Sequence, residues 1–258
     1  MELTADYHTH TPYSHGKNTV LENVRAAKKA GLKEIGITDH GFNHILFGLK
    51  RKNLPDIRKE CDEAEKLIGI KVLLGMESNL ISVDGETDMK ESDLQYFDLF
   101  LCGIHEVLKY KSFSDMRNIM IKNYIAYKFG KIPDNKVVET TTKAYINAIK
   151  NNPIDIITHI NYKCYCNIEE VAKCCADYGT YIEINTKKRH VSAEELNIMA
   201  ATGVKFVIDS DAHSADRVGD MKIAKEVLKD AEIPFEQIAN IDGRLPEFRF
   251  KEYKLRNL

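Results

Sequence analysis

Short apolar runs rich in β-branched residues alternate with longer stretches of helical period along the whole chain, and this alternation limits the folds open to it. Runs of strand character occupy residues 3–7 (LTADY), 33–38 (KEIGIT), 71–76 (KVLLGM), 97–104 (FDLFLCGI), 154–158 (IDIIT), 181–185 (YIEIN) and 205–209 (KFVID). The first helical segment, NTVLENVRAAKKAG, places Val20, Val24 and Ala27 on one face and closes on Gly31, a natural C-cap. Similar segments are predicted at 54–68, 112–129, 137–151, 167–178, 193–202 and 215–231. Repeated strand–helix units of this kind build a mostly parallel sheet. At 258 residues the chain suits a single α/β barrel. No linker, internal repeat or low-complexity tract divides it, so one domain spanning 1–258 is expected. Residues 42–56 lack a clear period and read as a loop over a site, while the basic, aromatic tail 243–258 reads as an amphipathic segment packed on the barrel.

Charge and cysteine content narrow the partners. With 37 basic and 39 acidic side chains the formal charge is -2, which gives no bulk attraction to nucleic acid or to a membrane. Any anionic ligand therefore needs a local site. The first residues show neither the basic start nor the apolar run of a signal peptide, and no stretch approaches the roughly 18 apolar residues of a membrane span. A cytoplasmic protein without a membrane partner is expected. Cys61, Cys102, Cys164, Cys166, Cys174 and Cys175 read as reduced, buried thiols, because the CYC and CC clusters lack paired C-x-x-C spacing.

Six of the seven strand-like runs end in a potential metal ligand: His8 and His10, His40, Glu77, His105, His159, and Asp211 with His213. In an α/β barrel the carboxyl ends of all strands gather on one face, so residues from 8 to 213 converge there. Side chains at i and i+2 of an extended segment point the same way, making two-residue grips of His8 with His10 and of Asp211 with His213. His15, past the turn TPYS, can fold back over the same mouth. Taken singly, each histidine is more ordinary as a hydrogen-bonded core or surface residue, Glu77 as half of a salt bridge and Asp211 as a helix N-cap. Seven of the nine histidines fall in the set, with His44 and His190 left as loop or rim residues. Imidazole and carboxylate donors suit zinc, manganese or iron, and this many donors suggest two or three divalent ions, zinc first among them.

These motifs resemble the polymerase and histidinol phosphatase (PHP) superfamily of metal-dependent phosphoesterases. The matching segments are DYHTHTPYSHG (6–16), GITDHG (36–41), GMESN (75–79), VDGETD (83–88), CGIHE (102–106), ITHIN (157–161), IEIN (182–185) and SDAHSADRVG (210–219). The arrangement looks most like the stand-alone YcdX-type phosphatase branch. That resemblance implies a distorted seven-stranded (βα)7 TIM-like barrel with a trinuclear site. Its nine ligands would fall on His8, His10, His15, His40, Glu77, His105, His159, Asp211 and His213, with Glu77 bridging two ions. The sequence departs from the pattern after the fifth strand, where His159 is followed by Ile160, Asn161 and Tyr162 rather than proline and glycine.

The expected activity is hydrolysis of a small phosphomonoester, of the histidinol phosphate, nucleotide or sugar phosphate class, by water activated on the metals, with His8, His10, Glu77 and Asp211 at its centre. Asp6 and Asp39 precede ligands and are candidates to orient them. Lys187, Lys188 and Arg189, and more remotely Arg217, are candidates to hold a phosphate, a solvated basic loop being the plainer alternative. A phosphodiesterase or exonuclease on nucleic-acid ends is the competing activity, weakened by the missing basic field. A non-catalytic metal-binding module is weakened by the intact ligand set, and a C–N hydrolase by the absence of a strand-end lysine. Oligomeric state is open.

Overall fold

The computed structural model describes residues 1–257. Its seven strands are β1 (Ala5–Asp6), β2 (Glu34–Ile37), β3 (Lys71–Asn79), β4 (Leu99–Gly103), β5 (Ile156–Ile157), β6 (Tyr181–Asn185) and β7 (Phe206–Asp209), paired in chain order. Every pairing is parallel, with Ile35 opposite Val72, Glu77 opposite Leu101 and Ile184 opposite Ile208. Parallel neighbours need a crossover, and helices supply it. They are α1 (Val20–Lys29), α2 (Leu54–Ile68), α3 (Phe113–Asp115), α4 (Lys122–Lys128), α5 (Asn135–Asn151), α6 (Ile168–Tyr178), α7 (Ala193–Ala201) and α8 (Lys222–Val227), followed by α9 (Arg249–Asn257). The result is a nearly closed, distorted (βα)7 barrel.

Local chemistry sets the helix ends. Thr19 and Glu22 form a reciprocal capping box at the start of α1, and Gly31, just past its end, adopts φ 81°. Only glycine enters that left-handed region freely, which turns the chain toward β2. Ser192 and Glu195 form a second capping box on α7.

Alternation along the strands divides the apolar side chains between two clusters. Phe100 and Cys102 of β4 join Val24, Ile57 and Val171 from the helices in the larger cluster. Leu99 and Leu101 join Ala5, Tyr7, Ile156, Tyr181 and Val207 in the smaller one, which fills the barrel. Phe248 packs on this inner cluster, its ring centroid 4.9 Å from that of Tyr7, and the buried Phe250 stands edge-on to Phe100. The C-terminal tail thus packs on the barrel.

The seam between β7 and β1 is closed by side chains. Asn240 accepts from the Ile208 N–H and donates to the carbonyls of Ala5 and Ile208. Asp209 Oδ1 accepts from the Tyr7 N–H at 2.7 Å, and Asp6 accepts from the Ser210 N–H and hydroxyl. A backbone bridge between Thr9 and Ala212 completes the seam.

Several boundaries differ from the sequence expectation. β1 and β5 are two-residue strands, whereas β3 runs on through Glu77 to Asn79 because that stretch pairs with 99–103. The helix predicted over 215–231 is broken into a short turn at Ala215–Arg217 and α8. Gly219 sits between them at φ 77° with its N–H donating to Asp6 Oδ2, so a buried carboxylate takes the amide that a continuous helix needs. The segment 112–129 is helical, but its middle, Met116–Ile121, is wound as a π-helix. All six cysteines are buried free thiols.

Candidate metal centre

Glu77 stands at the middle of the site, fully buried on β3, with imidazoles arriving from four other strands. Its Oε2 lies 2.7 Å from His40 Nδ1, 3.3 Å from His8 Nε2 and 3.8 Å from His10 Nε2. Its Oε1 lies 2.7 Å from His159 Nε2 and 3.1 Å from His105 Nε2, and accepts from the Thr158 hydroxyl at 3.2 Å. Asp211 is the second acidic focus, its Oδ1 3.3 Å from His10 Nε2 and 3.2 Å from His213 Nδ1. His15 folds back as its sequence position suggests, stacking with its ring centroid 4.8 Å from that of His40 and standing edge-on to His213 at 4.1 Å. The structure therefore brings all nine candidate ligands together at one end of the barrel.

The donor set fits divalent cations. Three overlapping groups, His10–His40–His213, His8–His10–Asp211 and His40–Glu77–His105, each bring one ligand atom per residue within 4.8 Å of the others. His8 Nε2, His10 Nε2, His40 Nδ1 and Glu77 Oε2 are buried without a hydrogen-bond partner from the protein. Unpaired buried polar atoms are costly and rare, at about 1–3 kcal/mol each, so a cluster of them within a few ångströms of one another is a donor set suited to a cation. Burial, reinforced by the charge of neighbouring histidines, holds His10 well below the usual imidazole range, and burial draws His15 down to about 4 and His40 to about 3. They are neutral at pH 7, the form that binds metal. Burial opposes ionisation of Glu77, yet the histidines around it, His105, His8 and His40, keep it well below the usual carboxylate range.

Side chains from other strands aim the ligands. Glu183 of β6 places Oε1 2.5 Å from His8 Nδ1, while its Oε2 accepts from the His159 N–H at 2.7 Å. Asn79 Oδ1 lies 2.8 Å from His105 Nδ1, leaving Nε2 toward Glu77. Asn79 is itself held by Asp88, which accepts from its backbone N–H and its side-chain amide and from the Ser78 hydroxyl. Sequence reasoning missed these roles of Glu183, Asn79 and Asp88, although all three lie in the quoted motifs IEIN, GMESN and VDGETD. His159 and Asp211 sit at φ 27° and 47°, backbone conformations that non-glycine residues rarely adopt.

Asp6 and Asp39 meet the backbone and hydroxyls around the ligands rather than their rings. Asp6 accepts from the His8 N–H at 3.5 Å and holds Ser210 and Gly219 beside Asp211. Asp39 accepts from the Thr11 N–H and hydroxyl and from the Ser14 hydroxyl, fixing the turn that carries His15. Of the basic candidates, Lys187 and Lys188 line the cleft, with Lys187 Nζ 3.2 Å from Asp211 Oδ1. Arg189 and Arg217 are used elsewhere, the first donating to the Val191 carbonyl and the second to the Thr186 carbonyl while pairing with Asp220. The cleft has a volume of about 310 Å³, with His44, Phe47, Val107, Met120, Tyr162 and His190 among its walls. Residues 42–56 contribute His44 and Phe47, Phe47 stacking on His15, before the chain enters α2 at Leu54.

A barrel with buried imidazoles and carboxylates converging at the carboxyl ends of its strands is the architecture of a metal-dependent hydrolase. The PHP domain model matches residues 6–187, and the chain belongs to that family. It is 34% identical over 270 residues to a probable phosphatase of Thermoanaerobacter sp. (strain X514), covering 98% of this chain and 97% of that protein. It is 33% identical to a probable phosphatase of Shewanella halifaxensis, with 96% and 91% covered. Among solved structures it resembles histidinol phosphate phosphatase from Lactococcus lactis, crystallised with zinc, L-histidinol and phosphate. That likeness has a TM-score of 0.65 at 18% identity and covers 96% of this chain and 100% of that one. The protein is a metal-dependent phosphatase of the PHP family.

Proposed function

We propose that the nine converging side chains hold two to three divalent cations, zinc first and manganese or iron as alternatives. The site then hydrolyses a small phosphomonoester of the histidinol phosphate, nucleotide or sugar phosphate class. The observation that carries this reading is Glu77, whose two oxygens are approached by five imidazoles from both sides, the disposition of a carboxylate shared between cations. Bound divalent cations supply acidity that makes water a nucleophile near pH 7 and draw charge from the phosphoryl oxygens.

The chain's own groups do the rest. Glu77 and Asp211 concentrate negative charge where cations are wanted, and Glu183 and Asn79 keep the imidazole nitrogens aimed. Lys187 sits within reach of Asp211 and, with Lys188, offers ammonium donors to phosphoryl oxygens at the cleft mouth. Phe47, Val107 and Met120 give the leaving alcohol an apolar wall.

The test pairs metal content per chain, measured by plasma mass spectrometry after chelator-free purification, with turnover of p-nitrophenyl phosphate and of bis(p-nitrophenyl) phosphate. Two to three ions and chelation-sensitive release from the monoester in preference to the diester support the reading. One ion or none without turnover on metal addition, or a preference for the diester, overturns it.

A further inference from the structure

The helical arm that brings Met120 to the cleft continues outward as an exposed surface of unusual composition. From Met116 to Pro133 the sequence contains Arg117, Lys122, Lys128 and Lys131 and no aspartate or glutamate, in a chain whose net charge is -2. Ile125, Phe129 and Ile132 are 51%, 71% and 77% exposed, and Tyr124 and Tyr127 are exposed beside them. The opposite side of the arm is anchored. Ile119, Met120 and Asn123 are buried, and Asn123 donates to the Thr141 hydroxyl and accepts from the Tyr165 N–H. The apolar tips thus project from a fixed base.

Large apolar side chains exposed side by side mark an interaction surface. The occupant must be anionic to complement the four cations and must offer an apolar interior to the isoleucines and phenylalanine. A second copy set face to face on this arm would oppose lysine to lysine with no acid on the arm to compensate. A nucleic-acid backbone would satisfy the cations and leave Ile125 and Ile132 in water. An anionic bilayer satisfies both, headgroups meeting the lysines while aromatic and aliphatic tips enter the interface. We propose that residues 116–132 are a peripheral docking surface for an anionic lipid bilayer. The protein lies on the membrane, since no helix among the described residues is long and apolar enough to cross one. Lys163, a cleft-lining residue whose ammonium stands 5.6 Å from the centroid of the Tyr127 ring, joins this surface to the mouth of the active site. Net charge, which gave no reason to expect a membrane partner, hides this uneven distribution.

The experiment is co-sedimentation of the full chain with sucrose-loaded vesicles of phosphatidylcholine alone, or of phosphatidylcholine and phosphatidylserine at roughly two to one; binding about tenfold stronger to the mixed vesicles, weakening with salt, is expected. Ile125→Ser with Phe129→Ser, and separately Lys128→Glu with Lys131→Glu, should each lower that binding about tenfold while melting temperature stays as in the wild type, because these side chains are exposed. The readout needs neither metal nor turnover, so it stands apart from the phosphatase reading. Equal binding to both vesicles, no binding, or variants that bind as the wild type does would overturn the proposal. An oligomer in light scattering that the same substitutions dissociate would instead assign the surface to a second copy. Retention of a single-stranded RNA oligonucleotide without vesicle binding would assign it to nucleic acid.

Discussion

Glu183 Oε1 lies 2.5 Å from His8 Nδ1 across the barrel, joining β6 to the first histidine of the chain. The same carboxylate accepts the His159 N–H through its other oxygen, so one buried side chain aims two candidate ligands, one of them in a strained backbone conformation. Substituting Glu183→Gln keeps the volume and removes the charge. Metal affinity is expected to fall about 10–100-fold, as for other groups that orient a ligating histidine. Isothermal titration of the metal-free protein checks this, and an unchanged affinity would show that His8 is aimed by packing alone.

Removing the hub has a larger effect. In Glu77→Ala the imidazoles of His8, His40, His105 and His159 lose their shared carboxylate, and metal content and phosphate release should both drop to background. Glu77 Oε1 is also the acceptor for the Thr158 hydroxyl and stands against His105 and His159, so urea unfolding of the metal-free variant should show a loss of about 1–3 kcal/mol. A variant that keeps its metal complement would disprove the central role of this residue.

The barrel seam gives a prediction independent of metal. Asn240→Leu leaves the Ile208 N–H and the carbonyls of Ala5 and Ile208 without this buried partner. Each such group costs about 1–3 kcal/mol, so the three together should lower unfolding free energy by several kcal/mol. Hydrogen exchange should quicken first at β1 and β7. Uniform exchange changes across all strands would argue against a local closure.

Acidity should act through Asp155, whose burial pushes its carboxyl up to about 7 despite hydrogen bonds from the Phe250 and Phe100 N–H groups. An unfolded aspartate titrates near 4, so between roughly pH 4 and 7 the folded chain holds a proton that the unfolded chain has released. The contribution of this group to stability therefore falls as pH rises through that window, by about 1.4 kcal/mol per pH unit at most, and levels off above it. The stability of the wild type relative to Asp155→Asn should be greatest near pH 4 and shrink as pH rises to about 7. A difference that stays constant with pH would show that Asp155 does not titrate there.

The convergence of His8, His10, His40, Glu77, His105, His159, Asp211 and His213 was legible because each lies at or just past a strand-like run, and parallel strands end on one face. The groups that aim them were not. Asp6 and Asp39 drew attention as sequence neighbours of ligands and act through the backbone around them, whereas Glu183 and Asn79 meet His8 and His105, each far from it in sequence, and Asp88 holds Asn79. Asp6, two residues before His8, bonds backbone N–H groups and not the imidazole, while Glu183 and Asn79 meet imidazoles from neighbouring strands. The break at Gly219 was hidden for a related reason, since the helical pattern of 215–231 carries no mark of the Asp6 carboxylate that interrupts it.

Strand and helix character, helix faces and capping boxes follow from patterns within about twenty residues of one another, and these local preferences determined the class of fold and the type of donor at each strand end. What the tertiary structure decided is pairing across the barrel: Glu183 with His8, Asn240 between β1 and β7, Asp6 with Gly219, and the placing of an acid-free apolar arm beside the cleft. Contacts between residues far apart in the chain depend on barrel closure, which packing selects as a whole and no local stretch encodes.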